Sequence, residues 1–187
     1  MRAHLAQEHR FAHTIRVARM ADTLAQAHGL PTEPARTAGV LHDLARLYSV
    51  RRLLEECEAR GMAIDAFERA NPIVLHARLG AELATEMFGV TDPAVLSAIA
   101  KHTVGAAEMG PLDCVLYLAD GLEPGRDFAD RAALAALARH DLSAAMGATI
   151  EASVRYMQKQ GLAVAPQTVA AGRAFGLDME EMLNCRN

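Results

Sequence analysis

Apolar residues recur at helical spacing between the glycines and prolines that punctuate this chain. From Asp141 to about Gln160, the residues that share one face are Leu142, Ala145, Met146, Thr149, Ile150, Ser153, Val154 and Met157. Residues three and four positions apart lie on the same side of an α-helix, so this spacing predicts an amphipathic helix. No segment shows a convincing strand pattern. The chain is therefore constrained to pack helices against helices.

The residue composition agrees with an all-α fold. Hydrophobic residues make up 51 % of the 187 residues, but aromatic residues make up only 4 %, and Trp is absent. The core volume must then come from Leu, Ala, Val, Ile and Met, and Ala and Leu are strong helix formers. The length suffices for one domain with a sizeable core. We predict a single all-α domain over residues 1–187, with a core over about 8–160 and a helical tail over about 161–187.

The ends of the helices are marked by proline, glycine and capping residues. Asp92 precedes Pro93, and Ser49 precedes an amphipathic stretch that ends at Gly61. Such residues satisfy the unpaired backbone groups at the two ends of a helix. With the periodicity, they predict roughly eight to ten helices, at about 8–28, 32–47, 49–60, 65–70, 73–88, 93–103, 111–124, 130–139, 141–160 and 167–175.

The charge balance limits the possible partners. The net charge of −4 argues against a general nucleic-acid binder, which would show a basic surface. It does not exclude a small phosphorylated ligand, because bound metals and a few local cations can reverse the field inside a cleft. No stretch approaches the ~20 apolar residues that span a bilayer. We expect neither a nucleic-acid nor a membrane partner, and a homodimer is left open.

The cysteines and the N-terminal segment predict a cytoplasmic protein. The three cysteines, Cys57, Cys114 and Cys185, are odd in number and widely scattered, as is typical of reduced thiols. The segment from Met1 to Phe11 carries charges throughout and lacks an apolar core, so we do not expect a signal peptide.

Six histidine and aspartate residues stand in apolar, helix-forming surroundings. His42 and Asp43 lie within Ala38–Ala45, where an isolated carboxylate is costly unless something offsets its desolvation. A metal ion does so, and carboxylate and imidazole are both good ligands. Four further residues have comparable settings: His13, His76, His102 and Asp120.

Each of these six residues has an ordinary structural interpretation when it is taken alone. A single histidine on an apolar helix face is usually a satisfied core residue, and Asp43 or Asp120 could pair with an arginine. Together, however, the residues would need separate buried partners, whereas one cluster around cations satisfies all of them. The second His-Asp pair, His140-Asp141, lies at a helix junction where Asp141 is predicted to be an N-cap, so we assign it no metal.

The residues around these ligands carry a family resemblance. The order His13, His42-Asp43, Asp120 resembles the HD-domain superfamily of metal-dependent phosphohydrolases, and the added His76 and His102 resemble its two-metal variant. The flanking strings are similar to those of the YqeK-type HD proteins, which are bacterial symmetrical diadenosine-tetraphosphate hydrolases. They are Arg10-Phe11-Ala12-His13-Thr14, Leu41-His42-Asp43, Leu75-His76-Ala77, Ala98-Ile99-Ala100-Lys101-His102-Thr103 and Leu118–Arg126.

The resemblance covers about residues 8–160 and implies a di-iron centre in an HD domain. It implies that His13, His42, Asp43 and Asp120 hold one metal, and that Asp43, His76 and His102 hold the other, with Asp43 bridging. The ligand types by themselves do not select iron, because histidine and carboxylate also suit Mn, Zn and Co.

Two metal ions ~3.5–4 Å apart can activate a bridging water and clamp phosphate oxygens. With the resemblance, this predicts symmetrical cleavage of diadenosine tetraphosphate into two ADP by a metal-activated water. The predicted catalytic residues are Asp43, Arg46 and Arg126. The predicted substrate contacts are His13, Arg46, Lys101, Thr103, Gly105 and Arg126, with the cations stabilising transition-state charge and Gly105 letting backbone N–H groups approach.

Three other functions stay open from the sequence. The same ligands would serve an HD phosphohydrolase that acts on a nucleoside mono-, di- or triphosphate. A metal-stabilised helical module could sense a nucleotide without turnover, although such a binder has no need for open coordination positions. The least specific alternative is an all-α scaffold without any site.

Overall fold

A computed structural model describes residues 8–184 of the chain. In that range it has no strand and eleven α-helices: α1 (Glu8–Ala27), α2 (Thr32–Leu41), α3 (Val50–Ala59), α4 (Ala66–Ala70), α5 (Leu75–Phe88), α6 (Pro93–Lys101), α7 (Pro111–Leu122), α8 (Arg131–Ala138), α9 (Leu142–Lys159), α10 (Pro166–Ala174) and α11 (Met179–Asn184). The prediction of an all-α fold is confirmed. No helix of this range is long and apolar enough to cross a membrane. The predictions for Cys185 and for the segment before Glu8 lie outside the described residues.

The predicted capping residues begin the helices as expected. The side chain of Asp92 accepts a hydrogen bond of 2.9 Å from the backbone N–H of Ala94, and the Ser49 hydroxyl accepts one of 3.2 Å from Arg52. Asp141 likewise accepts a hydrogen bond of 2.9 Å from Ala144. Each bond satisfies an N–H group that has no partner within its own helix.

Helix α2 ends at Leu41, several residues before the predicted end near residue 47. Residues 42–47 instead form successive turns, in which the N–H of Leu44 bonds to the carbonyl of Leu41 and that of Arg46 to the carbonyl of Asp43. Bonds across three residues wind the chain more tightly than an α-helix does. The His42-Asp43 pair therefore lies at a helix end and not in a helix interior.

Helix α11 is the one helix of the described range that the sequence pattern did not predict. Asp178 begins it by accepting hydrogen bonds from the backbone N–H groups of Glu180 and Glu181. Its first residue, Met179, is buried against Gly172 of α10. Six residues are too few to show a helical repeat in the sequence.

Helix α7 lies at the centre of the fold. It packs against α1, α2, α6 and α9, and every residue from Cys114 to Ala119 is buried. Helix α1 packs along both α2 and α7, and Val17, Ala21 and Leu24 of α1 are fully buried. Residues at the ends of these helices are consequently held in place by buried core helices.

Helices α1 and α2 approach each other closely at Gly39. A Cβ atom placed on Gly39 would lie 2.6 Å from the Cα atom of Ala18, which is far inside van der Waals contact. Glycine is therefore required here for helix packing, and the same residue precedes the His42-Asp43 turn by three positions.

We predict that the substitution Gly39→Ala destabilises the protein by about 1–3 kcal/mol, because the added methyl group overpacks the α1–α2 contact. Urea unfolding followed by circular dichroism measures the change. Gly121→Ala is the matched control, since a Cβ there lies at an ordinary 3.7 Å from Thr149 and alanine favours a helix. Equal stability of the Gly39→Ala protein and the wild type would contradict the prediction.

Candidate metal centre

The six predicted ligands come together from five parts of the fold. His13 lies on α1, the pair His42-Asp43 follows α2, His76 lies in the first turn of α5, His102 follows α6, and Asp120 lies near the end of α7. The first five of these residues are buried, and the Asp120 side chain is 20 % exposed. Polar residues from five parts of the fold that are distant in sequence thus lie close together in the structure.

The distances between the ligand atoms are those of a metal site. His13 Nε2 is 3.1 Å from Asp120 Oδ1, and His76 Nε2 is 3.2 Å from His102 Nε2. The residues form three overlapping groups, and within each group the potential ligand atoms lie within 4.8 Å of one another. The groups are His13, His42 and Asp43; His42, His102 and Asp120; and Asp43, His76 and His102.

Asp43 lies between the two halves of the cluster. Its Oδ2 atom is 3.9 Å from His13 Nε2 and 3.6 Å from His42 Nε2. Its other oxygen, Oδ1, is 3.4 Å from His76 Nε2 and 4.0 Å from His102 Nε2. The carboxylate thus presents one oxygen atom to each pair of histidines.

Three of the histidines are oriented by a backbone carbonyl three residues earlier in the chain. His42 Nδ1 bonds to Gly39 O at 2.8 Å, His102 Nδ1 bonds to Ile99 O at 2.7 Å, and His76 Nδ1 bonds to Ile73 O. A carbonyl oxygen only accepts, so each Nδ1 carries the hydrogen and each Nε2 is left with a lone pair that faces the cluster.

His13 is oriented by a carboxylate instead of a carbonyl. Its Nδ1 atom lies 3.1 Å from Oε1 of Glu123, which is 1 % exposed and is also bonded by Arg16. Burial opposes ionisation of Glu123, but the bonds from Arg16 and His13 outweigh burial and lower its pKa to about 2. Glu123 is not among the residues predicted from the sequence to form the site, although it lies in Leu118–Arg126, one of the strings that carry the resemblance.

The cluster has the unsatisfied atoms that a bound cation would satisfy. The Nε2 atoms of His13 and His42 are buried and make no hydrogen bond to any described residue. Lone pairs of histidine and carboxylate atoms also face each other at 3.1–4.0 Å. Unpartnered buried polar atoms are costly, and several electron-rich atoms in one place suit a positive ion. The residues therefore fit one or more metal ions.

The pKa shifts of His102 and Asp43 agree with this chemistry, whereas the pKa of His13 is raised, because its interactions with Asp120 and Glu123 outweigh burial. Burial, together with the neighbouring His42 and His76, lowers the pKa of His102 to about 3, so its ring is neutral at physiological pH. Burial would raise the pKa of Asp43, but its hydrogen bond with His76 and its electrostatic interactions with His42, His76 and His102 together outweigh burial and hold the pKa below the ordinary range. Neutral imidazole and ionised carboxylate are the forms that bind a metal.

A cavity of about 220 Å³ opens beside the cluster and carries three guanidinium groups. Arg10 donates to Asp43 Oδ2 at 3.0 Å, and Arg126 donates to Asp120 Oδ1 at 2.6 Å. The third, Arg46, is half-buried and has no ion pair within residues 8–184. The cavity is lined by Arg10, Asp43, Arg46, Ile73, His76, Thr103, Asp120 and Arg126. Arg10 lies in one of the strings that carry the resemblance but is not among the site residues predicted from the sequence.

Two predicted substrate contacts lie elsewhere. Lys101 Nζ donates to Asp113 at 2.8 Å and lines a separate groove of about 820 Å³. Gly105 has φ +71° and packs beside Ala171, and it is not among the residues that line the 220 Å³ cavity. Thr103, in contrast, lines that cavity, with its hydroxyl 3.2 Å from His76 Nε2 and 3.1 Å from His102 Nε2.

The chain is similar to a known protein family and to named proteins over most of its length. The family described as HD domain matches residues 10–125. The symmetrical bis(5'-nucleosyl)-tetraphosphatase of Bacillus subtilis is 32 % identical over 161 residues, which are 86 % of this chain and 86 % of that protein. A Mycoplasma pneumoniae protein named probable nicotinate-nucleotide adenylyltransferase/Ap4A hydrolase is 38 % identical over 83 % of this chain, which spans 45 % of its length.

A solved structure has the same overall fold. It is the crystal structure of a predicted HD superfamily hydrolase involved in NAD metabolism from Clostridium acetobutylicum. The TM-score is 0.89 with 30 % sequence identity, and the match covers 93 % of this chain and 92 % of that one. This agreement supports the arrangement of helices that assembles the cluster.

We predict that Asp43→Ala lowers the transition-metal content of the purified protein on the order of tenfold or more, because Asp43 faces both pairs of histidines. Inductively coupled plasma mass spectrometry measures the content. Asp141→Ala removes the aspartate of the second His-Asp pair and is expected to keep the metal while losing about 1 kcal/mol of stability as a helix cap. Wild-type metal content in Asp43→Ala would show that this carboxylate is not a ligand.

Proposed function

Because the chain belongs to the HD-domain family, and to the same family as the symmetrical bis(5'-nucleosyl)-tetraphosphatases, we propose that it is a hydrolase that cleaves diadenosine tetraphosphate into two molecules of ADP. Two relatives that this chain matches over most of their length carry that name, one from Bacillus subtilis and one from Halalkalibacterium halodurans. The proposal extends their named activity to this chain, and the arrangement of the cluster supports it.

The observation that carries the proposal is the position of Asp43. One of its oxygen atoms faces His13 and His42, and the other faces His76 and His102. A carboxylate placed in this way can bridge two ions. We propose that His13, His42, Asp43 and Asp120 hold one ion, and that Asp43, His76 and His102 hold the other.

We propose iron for both positions, with Mn, Co and Zn as the alternatives that the ligand types also suit. Metal ions held there would lower the pKa of water to near neutrality and neutralise phosphate charge. The Nδ1 hydrogen bonds keep the four rings in one tautomer and one orientation. The protein thus supplies a fixed set of donors before any ion or substrate arrives.

The three arginines of the cavity are the proposed phosphate contacts. Arg46 is half-buried and its guanidinium forms no ion pair with any residue of the described range, so we propose that its donors bind phosphate oxygens. Arg10 and Arg126 each donate to a carboxylate of the cluster and border the same cavity. The Thr103 hydroxyl is a further donor at its wall. We propose that these groups orient the polyphosphate and stabilise the charge that develops during hydrolysis.

The size of the cavity fits the phosphate part of such a substrate. Pockets that enclose whole small molecules are typically ~300–1,000 Å³, and this cavity is about 220 Å³. It therefore suits a phosphate chain, with the nucleosides outside. A substrate with a nucleoside at each end of the chain can leave both ends outside, which is consistent with attack near the middle.

We propose a cytoplasmic location and no nucleic-acid or membrane partner. Cys57 and Cys114 are buried free thiols, which suits a reducing compartment. The net charge of −4 supports a small anionic substrate bound by local cations over a general nucleic-acid surface. We also propose that residues 1–187 form one HD domain with a helical C-terminal part.

We predict that the purified, metal-loaded protein converts diadenosine tetraphosphate into ADP alone. Anion-exchange chromatography of the products identifies the bond that is cleaved. ATP with AMP would contradict symmetrical cleavage. Turnover of a nucleoside mono-, di- or triphosphate, with diadenosine tetraphosphate untouched, would favour a different HD phosphohydrolase, and tight binding without turnover would favour a nucleotide sensor.

We predict that Arg46→Ala raises KM for diadenosine tetraphosphate about tenfold to a hundredfold with an unchanged metal content, because a charge-assisted hydrogen bond is worth about 1.5–3 kcal/mol. Steady-state kinetics and elemental analysis of the same sample measure both quantities. Arg51→Ala is the control, since Arg51 is 85 % exposed and pairs with Glu55. An unchanged KM in Arg46→Ala would remove this residue from the substrate site.

A further inference from the structure

Helix α10, in the C-terminal part of the chain, contacts the loop that carries His102 and Thr103 of the candidate site. The Thr168 hydroxyl donates a hydrogen bond of 2.9 Å to the backbone carbonyl of Val104. Val104 directly follows His102 and Thr103. Helix α10 lies outside residues 10–125, which match the HD family, so this contact joins a part of the chain beyond the matched region to the candidate metal centre.

The segment after His102 turns sharply. His102 Nδ1 bonds to Ile99 O, and the N–H of Gly105 bonds to the carbonyl of Lys101 at 2.9 Å. Gly105 adopts φ +71°, a conformation that ends the turn. Between these two fixed points, the Val104 carbonyl has Thr168 as its hydrogen-bond partner. The orientation of the Val104 peptide therefore depends on α10.

The contact with α10 is tight and buried. Thr168 is 4 % exposed, and Ala171, one turn further along α10, is fully buried. A Cβ atom placed on Gly105 would lie 3.0 Å from the Cβ atom of Ala171, so the loop backbone rests directly on the helix. Thr168 thus holds the loop by a hydrogen bond to Val104, and Ala171 holds it by packing against Gly105.

Helix α10 is also anchored at a point away from this loop. Gln167 Nε2 donates to Asp65 Oδ2 at 2.8 Å, and Asp65 caps α4 through the N–H of Glu68. Loss of the Thr168 hydroxyl therefore removes one contact and leaves the helix attached through Gln167.

We propose that Thr168 is a positioning residue of the metal centre. By holding the Val104 carbonyl, it keeps Thr103 and His102 in the orientation in which His102 Nε2 and the Thr103 hydroxyl face His76. The inference rests on the proposed function only for the identity of the reaction. The expected loss on removing the hydroxyl is about tenfold in metal affinity, the lower end of the range for groups that orient a ligand indirectly.

The test compares Thr168→Val with Thr168→Ser. Each protein is freed of metal with a chelator and titrated with Mn²⁺, and free Mn²⁺ is followed by its electron paramagnetic resonance signal. We expect Thr168→Val to bind Mn²⁺ about tenfold more weakly than the wild type, and Thr168→Ser, which keeps the hydroxyl, to restore binding. In the diadenosine tetraphosphate assay we expect kcat to fall about tenfold in Thr168→Val with KM unchanged.

Thr149→Val is the matched control. Thr149 is also buried, its hydroxyl has no hydrogen-bond partner among the described residues, and it lies on α9. We expect its Mn²⁺ affinity to equal that of the wild type. Should Thr168→Val not fold, Thr168→Ala carries the same expectation, because it also lacks the hydroxyl and is smaller.

Several results would overturn the proposal. Wild-type Mn²⁺ affinity in Thr168→Val would do so, and so would a lower melting temperature of the metal-free protein with unchanged affinity, since Thr168 would then have a purely structural role. Equal weakening in Thr149→Val would mean that the effect is not specific to the loop. The Mn²⁺ titration needs no substrate, so it tests Thr168 even if diadenosine tetraphosphate is not hydrolysed.

Discussion

The burial of Asp43 and four histidines, beside the partly exposed Asp120, is the constraint on which this structure depends. Desolvation of such groups is unfavourable unless each has a partner, and the helices that surround them offer mainly apolar side chains. Arg10 and Arg126 supply part of the compensation through Asp43 and Asp120. The buried Nε2 atoms of His13 and His42 have no hydrogen-bond partner among the described residues. A cation would satisfy these remaining atoms and would join five parts of the fold at their point of contact.

Helix ends provide the geometry that this cluster needs. His42, His76 and His102 lie at or next to helix termini, and each bonds through Nδ1 to the carbonyl three residues earlier. Such carbonyls are available near helix ends and in tight turns, where the regular α-helical bonding is incomplete. The same local device therefore orients three rings that are far apart in the sequence. His13 lies inside α1, where the carbonyls are already used, and it bonds to Glu123 instead.

The all-α fold could be predicted from the sequence, and the six residues predicted as ligands lie together in the structure, but the residues around them could not be predicted. Helical spacing and capping residues predicted ten of the eleven helices within residues 8–184, and the one not predicted, α11, has only six residues. The six ligands were recognised because polar residues in apolar segments are rare. Arg10 and Glu123 were not recognised as parts of the site, because an arginine or a glutamate near a helix end is ordinary in a sequence. Lys101 was predicted to contact the phosphates as one of the cations, yet its side chain extends toward Asp113.

The sequence by itself determined that this chain forms helices, where most of them begin and end, and which six side chains need compensation for burial. These properties are local, because they depend on residue spacing, capping and hydropathy within a few turns. Only the tertiary structure decided which charges meet. It turned each Asp43 oxygen toward a different pair of histidines, placed the Arg46 side chain beside the cavity and brought Thr168 of α10 to the Val104 carbonyl. Such contacts join residues up to 110 positions apart, as for His13 and Glu123, and no local pattern encodes them.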